Sequence, residues 1–562
     1  MTHDPAAALI GEQGVIAAIE EGKLTRTRTV EGIPRAAIQF CLERAGIDLA
    51  AVAQIAIGSR PIRSWERQIL FRARLAPLAP ASSGYFISKA FGELSRELNN
   101  FRLIRKMAGD APGRVQSFEH HQCHAASTFF GSPFDRALIV TLDELGDGRS
   151  GSVSIGEGTR IRELKSLAFP NSLAWVYSQV TRLLGFRPHG EEHKTQWLGL
   201  AGEPIFLDLF LDMLRGARKG PPHLNGKYFR RSYAGELSFS DEFYRRVGIV
   251  AAQPIADDAL RANIAASLQQ ACAVIVCEWL EATRQKTDSR SLCLAGGLFL
   301  NPLLVAAVES NTRFENVFVQ PAAGIEGTAL GAAYLVWHRE DGRPRIGFAG
   351  APYWGPEFSN DVVKSVLDNC KAFYKWCDSE DVKIGETIRM LHAGKIVAWC
   401  QGAAEFGPRA LGNRSLLASP WSPYVKENLN DYVKHRESFR PFALAMPEED
   451  CAEYFDYTSN ARYLTTMARA KEMGQKLLAG LPPGFLLKGN LVRLHAVRSK
   501  DNPLFWKLLK RSGENAPAPI LVNTSFNLFG EPLVVKPRDA VRSYFCSGAD
   551  ALVAGNFILK KS

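Results

Sequence analysis

Short apolar runs alternate with longer stretches of helical spacing along most of this chain. Apolar runs of this kind are typical of buried strands, and helical stretches between them favour units in which strands and helices alternate. The apolar runs are residues 6–10, 15–19, 52–57, 137–142 and 291–295, and residues 34–45 have the pattern of a helix. We therefore predict an α/β fold.

The length of 562 residues exceeds what one hydrophobic core usually organises, so we expect two or more domains. Residues 346–356 are rich in glycine, proline and aromatic side chains and interrupt the alternation. Such residues commonly separate regular elements. We place the boundary here and predict domains of residues 1–350 and 351–562.

Composition and charge exclude several classes of protein. With 46% hydrophobic and 22% charged residues, the chain is neither disordered nor fibrous. The net charge of +10 is spread over the whole length, so anionic small substrates explain it as well as nucleic acid does. The ten cysteines are scattered along the chain, which indicates reduced thiols. No apolar run approaches the roughly 20 residues that are needed to span a bilayer. We expect a cytoplasmic protein with no nucleic-acid or membrane partner.

Three polar clusters in the C-terminal half combine cations or amides with residues that favour turns. They are residues 402–415, 434–442 and 523–532, and the first directly follows an apolar run. Ligands of open α/β sheets bind at strand ends, and arginine forks bind phosphate oxygens in pairs. The cations that could hold several phosphates are Arg409, Arg414, Lys434, Arg436 and Arg440. The alternative is a set of turns on a solvated surface.

Three histidines occur within five residues, and two of them, His120 and His124, are four positions apart. On a helix these two lie on one face, where they could share a metal ion. Asp143 ends an apolar run about 20 residues later. Two histidines and a carboxylate would leave open positions on a divalent metal. The alternative is a helix whose histidines are simply hydrogen-bonded.

A pair of glycines, Gly296 and Gly297, follows another apolar run and precedes Asn301. Backbone amides at such a turn could approach a phosphate or a ribose. Close packing alone would also explain two glycines at this place.

These motifs together resemble the O-carbamoyltransferases of antibiotic and nodulation-factor biosynthesis, over nearly the whole chain. The specific segments are Gly-Pro-Arg-Ala-Leu-Gly-Asn-Arg-Ser from Gly407, Asn-Thr-Ser-Phe-Asn from Asn523, and His-x-x-x-His-Ala-Ala from His120. The resemblance implies an N-terminal domain of the actin-like ATPase fold, a duplicated RNase H-like unit similar to the tRNA threonylcarbamoyl-transfer proteins. It implies a C-terminal YrdC-like α/β domain after it.

The resemblance also implies a reaction in two steps. The C-terminal domain would convert carbamoyl phosphate and ATP to carbamoyl adenylate, and the N-terminal domain would move the carbamoyl group to a hydroxyl of a small natural-product acceptor. A divalent metal would be bound, with iron expected first and magnesium or manganese as alternatives. We allow for a homodimer.

The implied roles fall on residues that match the family motifs. Catalytic roles would fall on His3 as general base and on Arg409, Lys434 and Arg440 as the clamp for phosphoryl groups. Nucleotide and carbamate would contact Gly296, Gly297, Asn301, Arg414, Arg436, Asn523, Ser525 and Asn527. The metal ligands would be His120, His124 and Asp143.

Two positions depart from the family pattern. Ile325 stands where relatives usually carry an aspartate beside the metal, and the chain has His3 almost at its first residue, where relatives have an extra strand before it. An apolar side chain in place of a ligand should weaken metal binding. The alternative function is therefore a nucleotide-binding paralogue with an impaired metal site and little or no transfer activity.

Overall fold

The computed structural model describes residues 4–28, 30–60, 83–109, 113–215, 220–231, 237–339, 343–347 and 350–561. His3 lies outside these residues. A five-stranded sheet, here called the N-terminal sheet, organises the first part of the chain. Its strands in spatial order are Asn316–Val319, Ser291–Ala295, Arg136–Gly146, Arg149–Glu157 and Arg160–Ala168. The first three are parallel and the last two are added antiparallel, so the carboxyl end of Arg136–Gly146 lies beside that of Ser291–Ala295.

Smaller strand pairs lie around this sheet. Ala6–Gly11 and Gly14–Glu20 form an antiparallel hairpin, and Phe229–Arg231 pairs with Leu237–Phe239. Ile55–Ile57 pairs in parallel with Val115–Ser117. The strand predicted at residues 52–57 is shorter than expected, because residues 52–54 connect the 3₁₀ turn Leu49–Ala51 to the strand and do not pair with a neighbour.

Helices cover the N-terminal sheet. They are Glu21–Thr25, Arg35–Ala45, Ser83–Met107, His120–Gly131, Leu173–Leu183, Glu192–Leu198, Leu207–Arg215, Asp241–Val247, Asp258–Thr287, Pro302–Asn311 and Gly327–Trp337. The strands between them carry runs of buried apolar side chains, as expected for a sheet covered on both faces. The main core packs the sheet against the long helix Asp258–Thr287.

An eight-stranded mixed sheet, here called the C-terminal sheet, organises the rest. Its strands in spatial order are Lys375–Trp376, Phe557–Lys560, Ala551–Ala554, Val397–Cys400, Arg414–Ala418, Leu521–Ser525, Ala443–Pro447 and Leu494–Val497. A second sheet contains Phe455–Asp456, Ala468–Ala470 and Leu491–Val492. The helices are Asn360–Asn369, Glu380–His392, Val425–Glu427, Glu448–Tyr454, Glu472–Ala479, Pro503–Ser512 and Pro537–Phe545.

Single helical turns complete the fold. The 3₁₀ turns beyond Leu49–Ala51 are Gly199–Ala201, Gly226–Tyr228, Gly297–Leu300, Ser459–Tyr463, Lys488–Asn490 and Gly513–Asn515. Asn428–Lys434 is a π-helix, an element that is rare and frequent at functional sites.

The α/β prediction is confirmed by this arrangement. Residues around the N-terminal sheet form hydrogen bonds with residues around the C-terminal sheet. Lys23 Nζ donates to the backbone carbonyls of Glu405 and Gly407 at 2.7 Å each, and Val319 N donates to Asn460 Oδ1 at 3.1 Å. The cluster that follows strand Val397–Cys400 therefore lies against the N-terminal part of the chain.

One helix among the described residues, Asp258–Thr287, is long and apolar enough to cross a membrane. However, 61% of its apolar window is buried inside the structure. Its apolar side chains pack in the main core, so length and composition are weak evidence for a membrane span here.

Candidate active site

Three side chains, here called the triad, meet at the carboxyl end of strand Arg136–Gly146. His120 and His124 lie on one face of helix His120–Gly131, whose first turn is capped by the carboxylate of Glu119. Asp143 Oδ2 lies 3.2 Å from His120 Nε2 and 3.0 Å from His124 Nε2, and the two histidine nitrogens are 3.0 Å apart. All three side chains are buried. The predicted convergence of these residues is therefore present in the fold.

The triad fits a divalent metal ion. Ligand atoms about 2.1 Å from a metal at the corners of an octahedral face are about 3.0 Å apart, which matches the separations observed here. Burial disfavours the charged form of Asp143 and so acts to raise its pKa. Hydrogen bonds from both histidines outweigh this effect and hold the pKa of Asp143 well below its usual value. Burial also lowers the pKa of His124, whereas for His120 burial acts in the same direction but the bond to Asp143 outweighs it and raises the pKa. An ionised carboxylate and a neutral imidazole are the forms that bind metal.

The neighbouring polar residues hold the triad in place and are not part of it. His121 is fully buried, and its Nδ1 lies 3.0 Å from Thr141 Oγ1. Asp147 Oδ2 accepts from the backbone N–H of His120 at 2.9 Å. Among the described residues, His120, His124 and Asp143 form the one group of three or more His, Cys, Asp or Glu side chains close enough to share an ion.

The position of the His120 ring in the triad requires a glycine at residue 146. A Cβ added to Gly146 would lie 2.0 Å from His120 Cδ2, so Gly146→Ala must displace the ring. We expect about a 10- to 100-fold loss of metal affinity, as for other substitutions that reorient a ligand. Titration of the metal-free protein with Fe²⁺ or Mn²⁺ would measure it. The control is Gly385→Ala, where a Cβ meets nothing within 4 Å; equal affinity of both variants would contradict the prediction.

A cavity of about 530 Å³, here called the anion cavity, lies between the N-terminal and C-terminal parts. Asp143 and Gly297 line it from one side. The cations that line it are Lys23, Arg28, Arg187, Lys194, Arg409, Lys434, Arg436, Arg440 and Arg493. Four of these arginines and Lys434 come from the C-terminal part, which brings the predicted clusters together at one place.

The cations of the anion cavity repel one another. Burial, and then the charge of Arg440, lowers the pKa of Arg409 to about 10. Burial together with Arg436 and Arg440 holds the pKa of Lys434 well below its usual value. Among the described residues, Arg436 Nη2 and Arg440 Nε have no hydrogen-bond partner. A group of buried, incompletely paired cations is stabilised by an anion that satisfies several donors at once.

The third predicted cluster positions Lys434. Its Nζ donates to Ser525 O at 2.7 Å and to Asn527 Oδ1 at 2.6 Å. Asn523 Nδ2 donates to Ala410 O and lies 3.1 Å from His495 Nδ1, while Asn523 Oδ1 has no partner among the described residues. Asn523, Ser525 and Asn527 all line the anion cavity.

Arg493 is a member of this site that the sequence reasoning missed. It lies between strand Leu491–Val492 of the second sheet and strand Leu494–Val497 at the edge of the C-terminal sheet, and its Nε has no partner among the described residues. Burial together with Arg409, Arg436 and Arg440 holds its pKa well below the usual value. A basic residue inside the apolar segment 491–497 was the signal that could have found it.

Lys194 is a second cation whose role becomes visible only in the fold. Its Nζ is 2.5 Å from Glu437 Oε1 and 2.8 Å from Glu191 Oε1. Glu437 lies in the second predicted cluster, three residues before Arg440. The pair therefore joins the helix Glu192–Leu198 to the arginine cluster.

Arg414 does not belong to the anion cavity, which corrects its predicted role. The side chain is 1% exposed. Its guanidinium donates to the backbone carbonyls of Pro356, Gln401, Gly402, Asn413 and Val535. A guanidinium whose donors are all engaged with the turn stabilises that turn and does not contact a phosphate.

Gly296 and Asn301 are also mainly structural. Gly296 has a φ of +99°, and a Cβ there would lie 2.2 Å from Leu142 O, so close packing against strand Arg136–Gly146 requires the glycine. Asn301 lines the cavity, but its Oδ1 accepts from the backbone of Leu303 and Leu304 as a helix cap. The predicted ligand role of Gly296 is corrected accordingly, because Gly297 and not Gly296 lines the cavity.

Two family models match most of this chain. A family model described as Carbamoyltransferase N-terminus matches residues 1–334, and one described as Carbamoyltransferase C-terminus matches residues 388–561. The chain belongs to the carbamoyltransferase family. As a carbamoyltransferase it is a transferase enzyme.

Proteins similar to this carbamoyltransferase occur in several organisms. The protein sll1178 of Synechocystis sp. is 33% identical over 100% of this chain and 95% of its own length. Nodulation protein NolNO of Sinorhizobium fredii is 32% identical over 100% of this chain and 79% of its own. The 3'-hydroxymethylcephem-O-carbamoyltransferase of Amycolatopsis lactamdurans is 31% identical over 49% of this chain and 50% of its own.

The turn of this carbamoyltransferase that carries Ile325 lies between the triad and the anion cavity. Ile325 and the next residue, Glu326, both line that cavity. Glu326 Oε1 accepts from Gly324 N at 3.2 Å, and burial, followed by the charge of Glu20, raises the pKa of Glu326 to about 7. Glu326 does not replace the missing ligand, since it is not among the residues that converge with His120.

Glu326 makes stability depend on pH. Because the pKa of Glu326 is raised, the folded state binds its proton more tightly than the unfolded state does. The contribution of Glu326 to the free energy of unfolding is therefore greatest below about pH 4.5 and is lost as the pH rises to about 7. We expect Glu326→Gln to remove this cost of about 3 kcal/mol above pH 7. The measurement is the urea midpoint at pH 5 and pH 8, compared with exposed Glu472→Gln. An unchanged pH dependence in Glu326→Gln would refute this account.

Proposed function

We propose that this enzyme is an ATP-dependent O-carbamoyltransferase that makes carbamoyl adenylate and passes the carbamoyl group to a hydroxyl of a small molecule. The observation that carries the proposal is that one cavity joins the arginine cluster to Asp143 of the triad. The relative named as an O-carbamoyltransferase supports the same chemistry. We also propose that the N-terminal part has the actin-like fold and the C-terminal part the YrdC-like fold.

The first step uses the anion cavity. Water hydrolyses carbamoyl phosphate to carbamate and inorganic phosphate. An oxygen of this carbamate then attacks the α-phosphorus of ATP, and pyrophosphate leaves as the bond between the α-phosphorus and its bridging oxygen breaks. Negative charge accumulates on phosphoryl oxygens, and fixed guanidinium and ammonium groups stabilise it without reorganising. The residues that would do so are five that line the cavity, Arg409, Lys434, Arg436, Arg440 and Arg493.

The second step takes place beside the triad. The acceptor oxygen attacks the carbamoyl carbon, the bond from that carbon to the AMP oxygen breaks, and AMP leaves with the electron pair. A metal held by His120, His124 and Asp143 would supply Lewis-acid stabilisation of the departing phosphate. We propose iron, with magnesium or manganese as alternatives, because the donor set is two imidazoles and one carboxylate. His3 remains the predicted general base.

The decisive experiment separates the two steps. The purified protein is incubated with carbamoyl phosphate and ATP, and pyrophosphate and AMP are measured with and without candidate alcohols. We expect carbamoyl phosphate-dependent release of pyrophosphate, followed by AMP when an alcohol is present. Absence of pyrophosphate would refute the first step, and pyrophosphate without any carbamate ester would refute the second.

A nucleotide-binding paralogue with an impaired metal site is the second candidate, because Ile325 supplies no ligand. We expect Ile325→Asp to raise the metal affinity of the protein by about tenfold, since a fourth protein ligand would face the triad. Metal content after dialysis against a fixed free metal concentration would measure it. Ile325→Asn, which adds a polar group of similar size without charge, is the matched control. Equal metal content in all three proteins would contradict the ligand argument.

The proposed location is the cytoplasm. All ten cysteines are free, and eight of them are buried. Burial raises the pKa of Cys272 and Cys293 to about 12, which keeps both as unreactive thiols. Free, mostly buried cysteines are typical of proteins in a reducing compartment.

A further inference from the structure

A second and larger cavity, of about 1100 Å³, lies next to the triad, and here we call it the apolar cavity. Its walls come from the hairpin Ala6–Gly11, the helix Arg35–Ala45, the strand Ile55–Ile57 and the helix Gly327–Trp337. His120 and Asp143 line one end of it. Its size suits one drug-sized organic molecule.

The body of the apolar cavity offers mainly hydrocarbon surface. Ile38, Leu42 and Ile55 line it from one side, and Ala329, Ala333 and Val336 line it from the helix opposite. Ala329 and Ala333 are four residues apart, so both methyl groups lie on one helix face and leave the space open. Polar side chains such as Glu31, Gln54 and Glu97 also line the cavity, but most of its wall is apolar and favours apolar groups.

The two cavities meet at the triad. Asp143, Glu144, His189 and Ile325 line both of them. His189 Nδ1 lies 3.1 Å from Glu144 Oε2. A molecule that fills the apolar cavity with its hydrophobic part would therefore place a terminal polar group beside the end of the anion cavity.

We propose that the apolar cavity binds the carbamoyl acceptor and that this acceptor is an alcohol with a large apolar body. The inference rests on the proposed function and adds the chemical class of the acceptor to it. The hydroxyl oxygen forms the new bond to the carbamoyl carbon, AMP leaves with the electron pair of the broken bond, and the hydroxyl proton passes to the general base of the second step. The products are a carbamate ester and AMP.

Two filling variants test the assignment. Ala329→Phe and Ala333→Phe each place a ring in the apolar cavity, and Ala282→Phe makes the same change on an exposed helix face far from it in sequence. Geraniol serves as the apolar alcohol and glucose as the polar one. Binding of each to the full-length protein is measured by calorimetry without carbamoyl phosphate, and carbamate formation is measured separately.

We expect geraniol to bind at least about tenfold more tightly than glucose, and both filling variants to weaken it by about tenfold or more, while Ala282→Phe does not. Pyrophosphate release should stay the same in all variants, which shows that they are folded. Tighter binding of glucose, or geraniol binding that neither filling variant changes, would overturn the inference. Geraniol binding as expected with no pyrophosphate would instead refute the proposed function and leave the cavity assignment standing.

Discussion

Asp143→Asn is expected to abolish carbamoyl transfer while leaving release of pyrophosphate intact. The substitution keeps the size of the side chain but removes the negative charge that lies 3.0 Å from His124 Nε2 and 3.2 Å from His120 Nε2. Two imidazoles alone bind a divalent cation much more weakly. We expect the rate of carbamate ester formation to fall by at least about a hundredfold. Product analysis and metal content, measured on the same sample, would show both effects.

The matched control is Asp135→Asn, because Asp135 has an exposed side chain just before the same strand. This variant should transfer carbamoyl groups at the normal rate. The account fails if Asp143→Asn retains both its metal and its transfer rate. It also fails if pyrophosphate release is lost to the same extent as transfer, because the triad would then act in the first step.

Arg493→Met is expected to stop adenylate formation without destabilising the protein. Arg493 is half-buried beside Arg409, Arg436 and Arg440, and burial together with repulsion from these three arginines holds its pKa well below the usual value. An uncharged side chain of similar length removes this repulsion, so the ligand-free variant should unfold at the same temperature or higher. Loss of one preorganised cation should lower kcat/KM for ATP by about a hundredfold. Calorimetry and pyrophosphate release would measure the two effects.

Arg469→Met is the control for this change, because Arg469 lies on an exposed position of strand Ala468–Ala470. It should have normal activity. A structural role for Arg493 would instead lower both the unfolding temperature and the activity. Added phosphate or ATP should raise the unfolding temperature of the wild type more than that of Arg493→Met, since ligand binding to the folded state stabilises it.

Much of the fold could be predicted from local patterns. The runs at residues 6–10, 15–19, 137–142 and 291–295 form strands, because short apolar segments between turns have few alternatives in a chain of this composition. The helix at residues 34–45 forms as Arg35–Ala45. The run at residues 52–57 forms a strand only at Ile55–Ile57, because apolar composition does not determine at which residue a strand begins.

The site could be predicted only in part. The spacing of His120 and His124 determined that they share a helix face, and a helix did form there. Arg414 and Arg409 look equivalent in sequence, since both lie in one turn-rich segment. The fold separates them, because the guanidinium of Arg414 is enclosed by five backbone carbonyls whereas Arg409 lines the anion cavity.

The amino-acid sequence by itself determined the α/β class, the helix that presents two histidines, and the segments in which ligand-binding cations are concentrated. These properties depend on residues close together in the chain, where periodicity and turn preference act. Only the tertiary structure decided that Arg493 joins Arg409, that Arg414 does not, and that an apolar cavity meets the triad. Those contacts join residues far apart in the chain, and their geometry follows from how the sheets and helices pack.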